Sequence, residues 1–197
     1  MKQAIRASLA VAVLGAALFS SPRLASADGD DTALTNVVAL ASQRLALAEP
    51  VARWKWANHK AIEDRPREAE LLASVEKRAA QAGVDPVFAR AFFEDQIAAS
   101  KDVQNTLFAT WRATRPPEGA PPDLATSTRP ALDRLTQKML AGLVQVAPLR
   151  DAPDCQARLA RSIANWKTLT RYDSTQTRAL DIALSHVCSA GGASAIG

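Results

Sequence analysis

Asp85 to Arg112 reads DPVFARAFFEDQIAASKDVQNTLFATWR, and this stretch sets the class of the fold. Asp85 followed by Pro86 is a helix opening: the carboxylate accepts a free backbone N–H, and the proline, with none to give, fills the first helical position. Beyond it Val87, Phe88, Ala91, Phe92, Phe108 and Trp111 recur at helical intervals, with no alternation of apolar and polar residues. The spacing predicts a long helix over 86–112, the third of the chain.

The same reading extends in both directions. Between Thr32 and Lys60, Leu34, Val37, Val38, Leu40, Ala41, Leu45 and Ala48 share a helical stripe. They predict one long first helix, kinked near Ala46–Pro50 because Pro50 removes a backbone donor. A second helix over 66–82 presents Leu71, Leu72, Val75 and Ala79 and stops at Gly83. Pro116, Pro117, Gly119, Pro121 and Pro122 exclude helix between Arg115 and Leu124. A fourth helix follows over 129–146 with Thr128 as its cap, then a break over 148–154 and two shorter helices over 154–169 and 174–189. Strand patterns are nearly absent. The expected fold is all-α, a bundle of about six helices with a long kinked first helix and a long third one.

Residues 1–27 are read as an address. Lys2 and Arg6 precede the apolar run Leu9–Phe19 and the small-residue site Ala25-Ser26-Ala27, the layout of a secretory signal peptide cleaved after Ala27. The run is too short to span a bilayer. The expectation is an exported protein, periplasmic or secreted and free of the membrane after cleavage, with 28–197 as a single helical domain and a disordered tail over 190–197. Cleavage changes the charge balance. The chain has 24 basic and 20 acidic residues, and Lys2, Arg6 and Arg23 leave with no acid, so 21 face 20. A phosphate-backbone binder needs a clustered basic excess, so nucleic acid is disfavoured as a partner.

Export also decides how Cys155 and Cys188 are read. Two cysteines bound for an oxidising compartment allow one intramolecular pairing. A Cys155–Cys188 disulfide would contribute roughly 3–4 kcal/mol by loop-closure entropy.

Several chemistries lack their residues. There is no Gly-rich phosphate loop, no G-x-S-x-G elbow and no H-E-x-x-H. His59 and His186 stand alone, so no metal site is expected and both are assigned surface or packing roles. An enzyme on this chain would work by placement and electrostatics. Arg44 and Lys55, three helical turns apart, fall on nearly one face. Asp64, Arg67 and Glu68 follow at the start of the second helix. Ser100 and Gln104, four apart, share a face with Phe93, Ile97 and Leu107, and Arg129 opens the fourth helix. Together they would suit a small dianion. Each also has a plain reading: solvated helix-face cations, and Asp64 and Glu68 as complements to a helix dipole.

The segments Arg44…Lys55…Asp64-x-x-Arg67-Glu68 and Gln96-Ile97-x-x-Ser100-Lys101-x-x-Gln104 resemble the all-helical, AroQ-type chorismate mutases. The leader, Pro121-Pro122-Asp123-Leu124, Arg129 and the Cys155/Cys188 pair resemble the exported subclass of that family. The resemblance runs from about Leu34 to Cys188. It implies a cofactor-independent Claisen rearrangement of chorismate to prephenate, in phenylalanine and tyrosine biosynthesis. By the same resemblance Lys55 and Gln104 donate to the ether oxygen, Arg44, Arg67 and Arg129 hold the carboxylates, Glu68 with the backbone near Asp64 accepts from the hydroxyl, and Ser100 meets a carboxylate. It further implies a homodimer in which each chain owns its site, because Arg129 replaces a cation that shorter members draw from a partner. Two positions depart from some exported relatives: Gln104 stands where they have Glu, and Leu71 where they have a polar side chain. The residues alone leave two alternatives, an exported helical binding protein for an aromatic or dicarboxylate metabolite without turnover, and a helical interaction module with its cations dispersed over the surface.

Overall fold

A computed structural model of the protein describes residues 27–189. The expected leader lies outside these residues except for Ala27, and the expected disordered tail over 190–197 lies wholly outside them. Seven α-helices follow one another: α1 (Ala27–Leu45), α2 (Ala48–Ala57), α3 (Arg65–Gln81), α4 (Pro86–Ala113), α5 (Arg129–Val146), α6 (Cys155–Thr170) and α7 (Ser174–Ala183). A single π-helical turn, Leu124–Thr128, precedes α5, and a 3-10 turn, Ala147–Leu149, follows it. Among the described residues there is no strand, and no helix is long and apolar enough to cross a membrane.

α4 is the spine. It packs along α7, α3 and α2, while α1 lies against α5 and α6. Its Phe88, Phe92 and Phe93 join Leu34, Val37 and Val38 of α1, Met139 and Leu143 of α5 and Leu180 of α7 in one buried core. The far half of α4 serves a second, smaller cluster, in which Phe108 and Trp111 pack on Ala52 with Trp56, Ile62 and Leu107 around them. Trp56 meets both aromatic rings edge-on, at 5.0 and 5.6 Å between centroids, the arrangement ring quadrupoles favour.

Helix starts obey the local rules. Asp85 accepts from Val87 N and Asp64 from Arg67 N, and Asp173 with Gln176 forms a reciprocal capping box on α7. Three expectations need correction. The first element is two helices rather than one kinked helix. Pro50 lacks the N–H that would bond Ala46 and its ring crowds that carbonyl, so the chain turns at Ala46 and Leu47, Leu47 N bonding back to Arg44 O at 3.1 Å. Pro50 then sits in the first turn of α2, where a missing N–H costs nothing. Thr128 does not cap α5 with its side chain. Asp123 does the capping one turn earlier, accepting from Ala125 N and Thr126 Oγ1, both at 2.8 Å.

Finally, α7 ends at Ala183 rather than at Ser189, because α4 competes for its backbone. Buried Gln96 donates to Ala183 O at 2.6 Å, and Asp95 accepts the His186 N–H at 2.9 Å. The Cys155–Cys188 disulfide is formed, with its Cα atoms 5.9 Å apart, and ties the last turn of described chain to the start of α6.

Candidate active site

Where α2, α3, α4 and α5 converge, a cavity of about 170 Å³ opens. Arg44 reaches it from the last turn of α1 and Lys55 from the last turn of α2. Asp64 caps α3 beside it, with Arg67 and Glu68 in the first turn. Ser100 and Gln104 line it from the middle of α4, and Arg129 from the start of α5. All eight residues singled out from the sequence border this one space, and every one comes from the same chain. Of the apolar neighbours expected on α4, Ile97 lines the cavity. Phe93 is instead wholly buried in the main core and Leu107 packs on the Trp111 cluster. The face that Ser100 and Gln104 share is narrower than three apolar partners require.

The residues differ in depth. Arg44 and Gln104 are 7% and 3% exposed, whereas Arg67, Asp64 and Arg129 lie open to solvent at the rim. Burial disfavours the charged form of a base, and it lowers Arg44 from the usual guanidinium range to about 10, with the field of Asp133 pulling the other way. Lys55 is also lowered, chiefly by burial, while Asp64 and Glu68 oppose the shift and Lys101 adds to it. Lys55 Nζ is anchored by donating to the Ile62 carbonyl. The chain reversal between α2 and α3, with His59 at φ 52°, brings that carbonyl back over the lysine.

Asp64 and Glu68 close a helix terminus and also border the cavity. Asp64 Oδ1 accepts from Arg67 N at 3.3 Å, and Glu68 Oε1 accepts from Asp64 N at 3.2 Å, so the pair closes the α3 N-terminus while bordering the cavity. Leu71 lines the cavity and packs on the core. It offers Arg67 nothing polar, and Arg67 turns instead to Glu70 at 3.2 Å and Asp133 at 4.0 Å.

Two charged residues in the lining were given no role from the sequence, Lys101 although it stands in the quoted motif, and Asp133. Lys101 meets Glu68 at 3.0 Å and Glu63 at 3.9 Å. Asp133 sits between Arg44 and Arg67 in the field of both. Helical spacing held the signal: Lys101 is three residues before Gln104, and Asp133 is four after Arg129. With them the lining carries five cations (Arg44, Lys55, Arg67, Lys101, Arg129) against three acids (Asp64, Glu68, Asp133), an excess of two positive charges around a space the size of a small molecule.

Deep in this space two buried polar atoms have no hydrogen-bond partner among the described residues, Arg44 Nε and Gln104 Oε1. Folded proteins pair most such groups, with protein or with ordered water. The arrangement can hold a compact dianion and direct N–H donors at its oxygens.

A profile of the type II chorismate mutases matches residues 35–105, from α1 to Gln104 and its neighbour. The chain is 37% identical over 172 residues to the secreted chorismate mutase of Mycobacterium tuberculosis, covering 86% of this chain and 84% of that protein. It is 34% identical to the secreted chorismate mutase of Mycolicibacterium smegmatis, over 83% of this chain and 90% of that one. The crystal structure of chorismate mutase from Burkholderia thailandensis superposes with a TM-score of 0.78 at 76% identity, covering 80% of this chain and 99% of that one. At that identity and coverage, and with that agreement of fold, the protein belongs to the chorismate mutase family.

Proposed function

We propose that the protein is an exported chorismate mutase that converts chorismate to prephenate by a cofactor-independent Claisen rearrangement. The observation that carries this reading is the cavity's excess of two cations around a buried amide and a half-buried ammonium. The substrate is a dianion, and as its ether C–O bond lengthens ahead of C–C bond formation, negative charge grows on the ether oxygen. Arg44, Arg67 and Arg129 hold the two carboxylates and so select the folded, chair-like conformer. Ser100 adds a contact to one carboxylate. Lys55 Nζ and the Gln104 amide donate to the ether oxygen, an interaction that strengthens only as the barrier is climbed. Glu68, its carboxylate steadied by the Asp64 N–H, accepts from the ring hydroxyl. The reaction is pericyclic, so no proton is transferred and no covalent intermediate forms.

Each chain supplies its own Arg129, so the site is complete in one protomer, and a homodimer of the protein serves stability rather than chemistry. Export is supported by the leader pattern and by the two relatives named as secreted.

Loss of chorismate absorbance on adding the purified mature protein, without any cofactor, tests the reading. Turnover is expected in the wild type, and Lys55→Ala should reduce kcat by about 10²–10³ with the fold intact. Binding of chorismate without loss of absorbance would replace the enzyme with a metabolite-binding protein.

A further inference from the structure

Lys101 is absent from the roles above, yet it is a cation in the cavity wall that reaches from the middle of α4 to the first turn of α3. Its Nζ lies 3.0 Å from Glu68 Oε2 and 3.9 Å from Glu63 Oε1. Its side chain is 28% exposed and that of Glu68 23%, so the pair is shielded more than a surface ion pair and is worth correspondingly more. The second Glu68 oxygen accepts from Asp64 N. Held at both oxygens, the carboxylate has a fixed orientation, and the lone pairs not already engaged can accept from a ligand.

The pairing has a chemical consequence. An unpaired carboxylate at this corner would accept from a hydroxyl and attract an ammonium more strongly. With Lys101 against it, the charge of Glu68 itself is offset, although Glu63 and Asp64 stand nearby, and an ammonium placed against Glu68 would lie beside the Lys101 ammonium, with Lys55 in the same wall. The field of Lys101 reaches the neighbouring ammonium of Lys55: burial chiefly lowers Lys55, Asp64 and Glu68 raise it, and Lys101 offsets part of what those two acids contribute.

We propose that Lys101 is a specificity-determining residue: by neutralising and orienting Glu68 it makes the enzyme select a neutral hydroxyl, and reject a cationic amine, on the substrate ring. The proposal rests on the chorismate mutase reading of this cavity and adds a discrimination that reading does not contain.

The test compares chorismate with its analogue bearing an amine in place of the ring hydroxyl. KM for chorismate and the inhibition constant of the amine as a competitor are measured for the wild type, Lys101→Met, Lys101→Gln and Lys101→Arg, with the thermal midpoint of each as a fold control. The neutral variants should raise KM for the dianionic substrate and lower the inhibition constant of the amine, shifting their ratio by about tenfold. Lys101→Arg should keep the ratio within about twofold. A merely structural lysine would weaken both ligands by the same factor, and that result, or no change in either constant, overturns the proposal. Wild-type protein that turns over chorismate with a ratio insensitive to Lys101 sinks this inference alone. A wild type with no turnover sinks the parent reading as well.

Discussion

Gln104 Nε2 donates to Ser100 Oγ at 3.0 Å, one turn back along α4, while Gln104 Oε1 is buried with no partner among the described residues. An amide nitrogen carries two protons. One is spent on Ser100, which holds the group in place, and the other is available to an oxygen in the cavity.

Gln104→Ala should therefore reduce kcat/KM by about 10²–10³, with kcat bearing most of the loss, because the donor acts on charge that develops at the barrier. Gln104→Glu should keep substantial activity only at acidic pH, where the carboxyl is protonated and can donate. Steady-state kinetics at pH 5 and pH 7.5 separates the two variants. A Gln104→Glu enzyme equally active at both would remove the amide from the mechanism.

For the wild type the pH profile should be nearly flat from about pH 5 to 8. The amide does not titrate, and Arg44, at about 10, is charged throughout that range. On the alkaline side activity should fall as Lys55, lowered chiefly by burial, and Arg44, at about 10, lose their protons. Stability has the opposite sign. Arg44 has a lower pKa folded than unfolded, so from about 10 up to the unfolded value the unfolded chain binds more protons and rising pH favours the folded state. The cost of burying the charge is present below that window and is relieved across it. Rate profiles over pH 5–10 check the first part, and a steep fall toward neutrality would count against an amide donor.

The disulfide should matter to stability and little to catalysis. Cys155 and Cys188 are 33 residues apart in sequence, and no residue of α6 or α7 lines the cavity. Replacing both with Ser should cost roughly 3–4 kcal/mol of unfolding free energy while kcat of the remaining folded protein stays within about twofold. Denaturant melts with parallel turnover assays decide this.

His186 should prove structural. Its Nδ1 lies 2.8 Å from Asp95 Oδ2 and its backbone N–H donates to the same carboxylate, fastening the chain after α7 onto α4. Burial is the main influence on Asp95 and raises its pKa, against the hydrogen bonds from His186. His186→Ala should cost about 1–3 kcal/mol and leave kcat unchanged. Losing the ring raises the folded-state pKa of Asp95 further. A raised carboxyl contributes its stability below the unfolded value and loses it as pH climbs through the folded one, so the variant's deficit should shrink between neutral pH and about pH 4. Thermal melts at both pH values read it, and a deficit independent of pH would contradict the assignment.

Much of this could be written before any coordinates. Prolines and capping aspartates act within one helical turn, so Asp85-Pro86 and the Pro116–Pro122 loop announced helix ends to within a residue or two. The eight cavity residues were legible because helical spacing and family pattern pointed to the same positions. The misreadings have separate causes, one local and one distant in sequence. One proline was taken as a kink in α1, but the crowded Ala46 carbonyl ended the helix instead. The end of α7 was placed six residues late because its limit is set by Gln96 and Asp95, 87 and 91 residues away in the chain.

Helicity, helix order, the export pattern and the inventory of charges all follow from short-range rules that a linear string of residues already obeys. Which cations face one another does not, because it depends on how α3 and α5 lean on α4. Only packing brought Lys101 onto Glu68 and set Asp133 in the field of Arg44. Only burial, a property of the assembled bundle, left the Gln104 amide and the Arg44 guanidinium in a site dry enough for a few fixed donors to matter.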